Sequence, residues 1–147
     1  MSEEKLTIEQ KRAIPRQFHT NLNNRDFDKQ LDLVTEDVEF HKNGDIIKGS
    51  NNFINALQSI MDVFADAVIT DHEIYADGNV AVVRYVLSGT LTGQLTFPNG
   101  STAHATGKPF QYSSVEFFEF NDEGKVIQIR QVNDSGLTPL TVEAQVK

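Results

Sequence analysis

The spacing of apolar residues changes along the chain from helical to strand-like, and this change constrains the fold most. Up to about residue 64 the apolar residues recur at helical spacing, and from residue 68 onward they alternate as in extended strands. Helices followed by long strands, joined mostly by hairpins, indicate an α+β domain with the helices packed on one face of a strongly curved antiparallel sheet. Strands of ~11–13 residues are longer than usual, so bends or bulges are expected. Such a sheet closing over helices predicts a cone-shaped barrel with an internal pocket.

Three helices are predicted in the first half of the chain. The first covers residues 7–24, where Thr7 can cap the first turn and Pro15 is expected to break or kink the helix. Asp26 is expected to cap a short second helix from Phe27 to Val34. The third helix carries one apolar stripe, formed by Phe53, Ile54, Leu57, Ile60, Met61 and Phe64.

The strands occupy the second half, and the last of them carries the most informative pattern. The long strands are predicted at residues 68–75, 80–92, 110–120 and 125–134, after a short strand at residues 38–41. Alternation places five side chains on one face of the last strand, namely Val126, Gln128, Arg130, Val132 and Asp134. This face is too polar for a plain core and too apolar for a plain surface. It predicts a partly polar pocket with Asp134 at its end.

Composition limits the classes of partner. The chain of 147 residues predicts a single domain, residues 1–147, with a core of about 7–140 and short tails. There is no cysteine, and the formal net charge of −8 disfavours binding to nucleic acid and to anionic membranes. No apolar run approaches a membrane span, and the first residues lack the pattern of a secretory signal, so a cytoplasmic protein is expected. The histidines lack metal-ligand spacing, so no metal is expected.

Two charged residues lie inside apolar strand patterns. Arg84 alternates with valines, and Glu116 alternates with Ser114 and Phe118, so each charge needs a partner. Two readings remain open: an Arg84–Glu116 ion pair between neighbouring strands, or contacts of both residues with a substrate. His41 is either a pocket residue or a strand-end histidine bonded to backbone. The other three histidines are expected on the surface, namely His19, His72 and His104.

Several short motifs resemble one family. Residues 84–93 read Arg-Tyr-Val-Leu-Ser-Gly-Thr-Leu-Thr-Gly, similar to the Arg-Trp…Gly-Thr-His-Thr-Gly strand of the SnoaL-like polyketide cyclases. These belong to the cone-shaped superfamily of nuclear transport factor two, ketosteroid isomerase and scytalone dehydratase. Four more motifs follow the family's order: Asp37 with His41, Phe64-Ala65-Asp66, Thr106-Gly107-Lys108-Pro109, and Val132-Asn133-Asp134 with Gly136-Leu137.

The resemblance implies a function and a set of site residues. In the characterised cyclases the aspartate at the position of Asp134 is the acid/base of an intramolecular aldol ring closure that uses no cofactor or metal. Asp134 is therefore the expected acid/base, with His41 as a second catalytic residue, acting on a small apolar carbonyl compound. Substrate contacts are expected from Arg84, Tyr112, Glu116 and Arg130. Leu91 and Arg130 stand where the family has histidine and tryptophan, which bears on the substrate.

Two alternatives to catalysis remain open from the sequence. The same cone can hold a small hydrophobic molecule without reacting with it, or the domain can serve as a dimeric interaction module. Val83, Tyr85 and Leu87 share one face of a long strand, and that face is taken to point outward. A sheet face this apolar is unsuited to water, so a homodimer is expected.

Overall fold

Three helices and eight strands make up the part of the chain that the computed structural model describes, residues 6–42, 44–63, 65–90, 95–96, 102–103, 107 and 109–132. The helices are α1 (Ile8–Asn23), α2 (Phe27–Gln30) and α3 (Ser50–Val63). The strands are β1 (Val34–Lys42), β2 (Asp45–Lys48), β3 (Val68–Asp77), β4 (Val80–Thr90), β5 (Leu95–Thr96), β6 (Thr102–Ala103), β7 (Pro109–Phe120) and β8 (Val126–Val132).

Six of these strands form one bent sheet in the order β2-β1-β8-β7-β4-β3, and β5 pairs with β6 in a separate ribbon. The predicted α+β class, with helices packed on a curved sheet, is confirmed. The sheet is mixed, however, because β1 and β8 are parallel while the other neighbours are antiparallel. No hairpin joins β1 to β8, so chain connectivity does not impose an antiparallel direction on them. Within the described strands the pairing register shifts at three places, in β1, β3 and β7–β8, in agreement with the predicted irregularities of the long strands.

The first helix begins and ends within one residue of the predicted range 7–24. The Thr7 hydroxyl accepts from the backbone N–H of Gln10 at 3.0 Å, and the Gln10 side chain accepts from the Thr7 N–H at 2.8 Å, which is a capping box. Of the break or kink expected at Pro15, the break does not occur, because α1 runs continuously through this buried proline. The predicted Asp26 cap is also wrong, since its side chain makes no cap hydrogen bond and α2 is only four residues long.

Side chains at the end of α1 fasten it to β3, an edge strand of the sheet. The Asn23 amide donates to the Ile69 carbonyl at 3.0 Å, and its oxygen accepts from the Ile69 N–H at 2.7 Å. Arg25, in the left-handed conformation with φ of 61°, donates to the carbonyls of Ala65 and Ala67. The helix thereby lies over one face of the sheet and partly covers its exposed edge.

The core lies between the helices and the inner face of the sheet. Phe18 and Leu22 of α1 pack with the stripe of α3 against inner-face residues that include Val83, Tyr85 and Leu87 of β4. The expectation that these three β4 residues face outward is therefore wrong, because the helix layer covers that face. The apolar face of β4 therefore no longer supports a homodimer, which stays a prediction. Among the described helices, none is both long and apolar enough to cross a membrane.

Candidate functional site

A histidine on the first helix forms the centre of a buried polar cluster. His19 is 2 % exposed, so its expected position on the surface is wrong. Its Nδ1 lies 2.6 Å from Asp71 Oδ1 on β3, and its Nε2 lies 2.9 Å from Glu116 Oε1 on β7. The two carboxylates bind both polar atoms of the ring, and this makes its burial between the aromatic rings of the core possible.

The second oxygen of Glu116 extends the cluster across the sheet. Glu116 Oε2 accepts from the Tyr85 hydroxyl at 3.1 Å and from Gln131 Nε2 at 3.2 Å, and Gln131 Nε2 also donates to the Tyr85 oxygen at 2.8 Å. The prediction that Glu116 is a buried charge in need of a partner is confirmed, but its partner is not Arg84. We call this set the inner polar cluster: His19, Asp71, Tyr85, Glu116 and Gln131.

The charge state of the cluster follows from its hydrogen bonds. Burial alone lowers the pKa of His19, but the hydrogen bonds and negative charges of Asp71 and Glu116 outweigh this effect and raise it to about 9. The ring is then an imidazolium at neutral pH, and each of its two N–H groups donates a hydrogen bond to one carboxylate.

A small cavity lies above the cluster. Its polar wall comes from His19, Tyr85, Glu116 and Gln131, and its apolar wall from Phe18, Leu22, Phe40, Phe53, Leu57, Ile60, Met61, Ile69 and Leu87. The volume of about 30 Å³ holds one or two water molecules. A ligand with several non-hydrogen atoms therefore requires side chains of α3 to move. Met61 is suited to this because its thioether chain is flexible.

Lys42 lies beside the cluster on the inner face of the sheet. It pairs with Gln131 of β8, and Gln131 pairs with Glu116 of β7, so the three side chains point to the same side. Burial lowers the pKa of the Lys42 ammonium, and the negative charges of Glu116 and Asp45 offset this in part. Among the described residues, the ammonium makes no hydrogen bond or ion pair. Its pairing thus places Lys42 beside Gln131, which belongs to the polar wall of the cavity.

Three predicted site residues lie on the opposite, outer face of the sheet. Arg84 is exposed and donates to Glu73 at 2.7 Å, so neither the predicted Arg84–Glu116 pair nor a contact inside the cone is formed. Arg130 donates to Gln128 at 2.8 Å, and its guanidinium lies 5.3 Å from the ring centre of an outer phenylalanine. His41 pairs with Arg130 in the register and lies 2.9 Å from a carboxylate oxygen of its own strand.

The face of β8 was therefore assigned wrongly from its alternation. Gln131, with Ile129, is buried on the inner face, while Gln128 and Arg130 point outward. His41 and Arg130 do meet, in an open groove of about 370 Å³ at the ends of β1 and β8 that Gln131 also lines. This groove shares Gln131 with the apolar cavity and is more open than the cavity.

Some predicted residues cannot be placed. Asp134 and His104 lie outside the described residues, and so does the side chain of Tyr112, whose backbone belongs to β7. His72 is exposed on β3, as predicted. In the described part of the chain, no three His, Asp or Glu side chains are grouped so that they could hold a metal ion.

The sequence contains weak signals for the residues that were missed. His19 follows Phe18 within the helical pattern of α1 and precedes Leu22 by three residues, which places it at the edge of the buried stripe. Gln131 alternates with Ile129, the apolar side of β8. Lys42 alternates with Val38 and Phe40, both buried. For Gln131 and Lys42 the signal required knowledge of which strand face the helices cover.

Comparison with known proteins agrees with the fold and defines the family. Residues 16–129 match the SnoaL-like domain, so the chain belongs to this family. No curated protein shows significant sequence similarity to the chain.

The fold is shared with solved structures of low sequence identity. A candidate SnoaL-like polyketide cyclase from Jannaschia sp. CCS1 has 16 % identity and a TM-score of 0.80, with 99 % of this chain and 97 % of that chain covered. IdmH, a candidate polyketide cyclase from Streptomyces antibioticus, has 19 % identity, a TM-score of 0.73 and coverages of 92 % and 97 %. A candidate ketosteroid isomerase from Kribbella flavida DSM 17836 has 24 % identity, a TM-score of 0.65 and coverages of 90 % and 83 %.

Proposed function

We propose that the protein binds a small, largely apolar carbonyl compound in the cone and transfers a proton on it without a cofactor, as a cyclase or isomerase. The observation that carries this proposal is the inner polar cluster at the wall of an otherwise apolar cavity. Buried charges cost free energy, and apolar side chains of similar volume would fill the same space at lower cost. Ionisable groups brought together in a cleft are typical of functional sites. The cyclase and isomerase names of the similar structures are consistent with this reading.

The proposed chemistry needs one base and one group that stabilises an oxyanion. Asp134, the acid/base implied by the family resemblance, takes a proton from the carbon next to the carbonyl; the electron pair of that C–H bond forms a C=C bond, and the π pair of the carbonyl moves to its oxygen. Isomerisation returns the proton at another carbon. In ring closure the enolate carbon attacks a second carbonyl of the same molecule, and Asp134 protonates the resulting alkoxide. The Lys42 ammonium is the inner-face cation that can stabilise the enolate oxygen.

A second candidate function is binding without catalysis, and one observation favours it. Five N–H and O–H donors of the inner polar cluster are already engaged with acceptors inside the cluster: two from His19, one from Tyr85 and two from Gln131. A cluster whose donors are all engaged offers a bound ligand no free acid. In this reading a hydrophobic ligand purifies with the protein, and native mass spectrometry detects it.

The proposal is tested by proton exchange, which requires no knowledge of the product. Cyclohexanone and 1-tetralone are incubated with the protein in D₂O, and loss of the proton signals next to the carbonyl is followed by NMR. We expect the protein to accelerate the exchange. Asp134→Asn is expected to lower the acceleration ~100-fold or more, and Lys42→Met about tenfold. Asp77→Asn and Lys48→Met are matched controls, because both residues are exposed.

The outcomes separate the two candidate functions and the two residue roles. Full activity of Asp134→Asn would remove Asp134 from the mechanism, and the same assay with Glu116→Gln would then test the inner polar cluster as the proton-transfer group. Full activity of Lys42→Met would remove the oxyanion role of the lysine. Exchange at the background rate for both ketones, together with a ligand that co-purifies, would favour binding over catalysis.

A further inference from the structure

Among the described residues, one buried acceptor atom of the inner polar cluster receives no hydrogen bond. Among the described residues, two buried side-chain oxygens lack a hydrogen-bond partner, Thr35 Oγ1 and Gln131 Oε1, and of these residues Gln131 lines the cavity. Gln131 is 8 % exposed, so bulk water does not readily satisfy its oxygen. A buried unpaired acceptor costs ~1–3 kcal/mol, which a native structure tolerates where a ligand or water completes the bond.

The orientation of the Gln131 amide follows from its neighbours. Its nitrogen lies 2.8 Å from the Tyr85 hydroxyl and 3.2 Å from Glu116 Oε2. Turning the amide round would place its oxygen against the carboxylate oxygen of Glu116, and two acceptors at that distance repel each other. The amide is therefore fixed with both N–H groups inside the cluster and the oxygen as the unused atom.

We infer that Gln131 Oε1 is the polar recognition point of the cavity, and that the ligand supplies a hydroxyl, an enol O–H or an N–H to it. This inference rests on the proposed function in that it concerns the same cavity, and it narrows the class of ligand. The donors of the cluster are engaged with its own acceptors, so a carbonyl oxygen finds no free donor within the cluster and depends on Lys42, as proposed above. The bound molecule combines an apolar body, which contacts the α3 side of the cavity, with a hydrogen-bond donor at the end that meets Gln131.

Phenol and toluene are suitable probes, because they have nearly the same shape and differ in the hydroxyl group. Dissociation constants for each are measured by NMR titration of the wild-type protein and of Gln131→Met, which removes the acceptor and roughly preserves volume. We expect Gln131→Met to weaken phenol binding about fivefold to tenfold, the value of one hydrogen bond, and to leave toluene binding unchanged. Gln128→Met is the matched control, because Gln128 lies on the outer face of the same strand. It should alter neither constant.

A second measurement is independent of the variant's stability. In wild-type protein labelled with carbon-13, the side-chain carbonyl signal of Gln131 should move downfield with phenol, because its oxygen then accepts a hydrogen bond, and should not do so with toluene. Equal loss of affinity for both probes in Gln131→Met, or phenol binding that is unaffected by it, would overturn the inference and leave a water molecule as the only partner of this oxygen. Toluene binding would still support the apolar pocket. Failure of both probes to bind would overturn the pocket itself.

Discussion

Raising the pH should weaken the fold through His19. The ordinary pKa of histidine is 6.5, and in the folded protein that of His19 is about 9. A folded-state pKa above the unfolded value means that the native state holds its proton more tightly. The resulting stabilisation is complete below about pH 6.5 and is lost as the pH rises through about 9.

The size of the effect follows from the pKa difference. A difference of one pKa unit corresponds to about 1.4 kcal/mol, so His19 contributes on the order of 3 kcal/mol at neutral and acidic pH. The His19 side chain is only 3 % exposed, so solvent screening reduces this value little. Against a typical unfolding free energy of 5–15 kcal/mol, a loss of about 3 kcal/mol is large.

The assay is urea unfolding at half-unit steps from pH 6 to pH 10. We expect the unfolding free energy of the wild type to fall by about 3 kcal/mol over this range. Glu116→Gln removes one of the two carboxylates bound to His19, so its decline should be smaller and should end at a lower pH. His72→Asn, which alters an exposed histidine on β3, should show the full decline.

A wild-type stability that stays level from pH 6.5 to 9.5 would refute the reasoning, because His19 would then have the same proton affinity in both states. A decline that is retained in Glu116→Gln but lost in His72→Asn would mean that His72, and not His19, causes the pH dependence.

Two further substitutions test local structure. Gly89→Ala should destabilise the fold by about 1–3 kcal/mol, because the added Cβ would lie 3.0 Å from Ala67 Cα; urea unfolding measures this, and a cost equal to that of the neighbouring Ser88→Ala would show that the backbone gives way. Thr7→Ala should lower the unfolding free energy by about 1 kcal/mol through loss of the capping box with Gln10. A melting temperature unchanged by Thr7→Ala would mean that the first turn of α1 is already frayed in the wild-type protein.

The elements that the sequence predicted well are those decided by local interactions. The start of α1 depends on a hydrogen bond between residues three apart, Thr7 and Gln10, and the stripe of α3 depends on helical spacing alone. Strand alternation and the Asp77-Gly78 turn likewise predict the bounds of β3 and β4 to within two residues at each end. The burial of Glu116 agrees with its place on the same face of β7 as Phe118, whereas Arg84, which alternates with two valines, is exposed.

Tertiary structure decided which face of each strand is covered, and this choice determines the site. Alternation divides β4 into two faces, and only the packing of α1 and α3 makes the side with Tyr85 the inner one. His19 and Asp71 are 52 residues apart, and His19 and Glu116 are 97 apart, so no local pattern predicts these contacts. The pairing of Lys42 with Gln131 depends on the parallel contact of β1 with β8. The sequence alone thus predicts the elements and the buried charge, and the packing of the helices on the sheet selects the charge's partners.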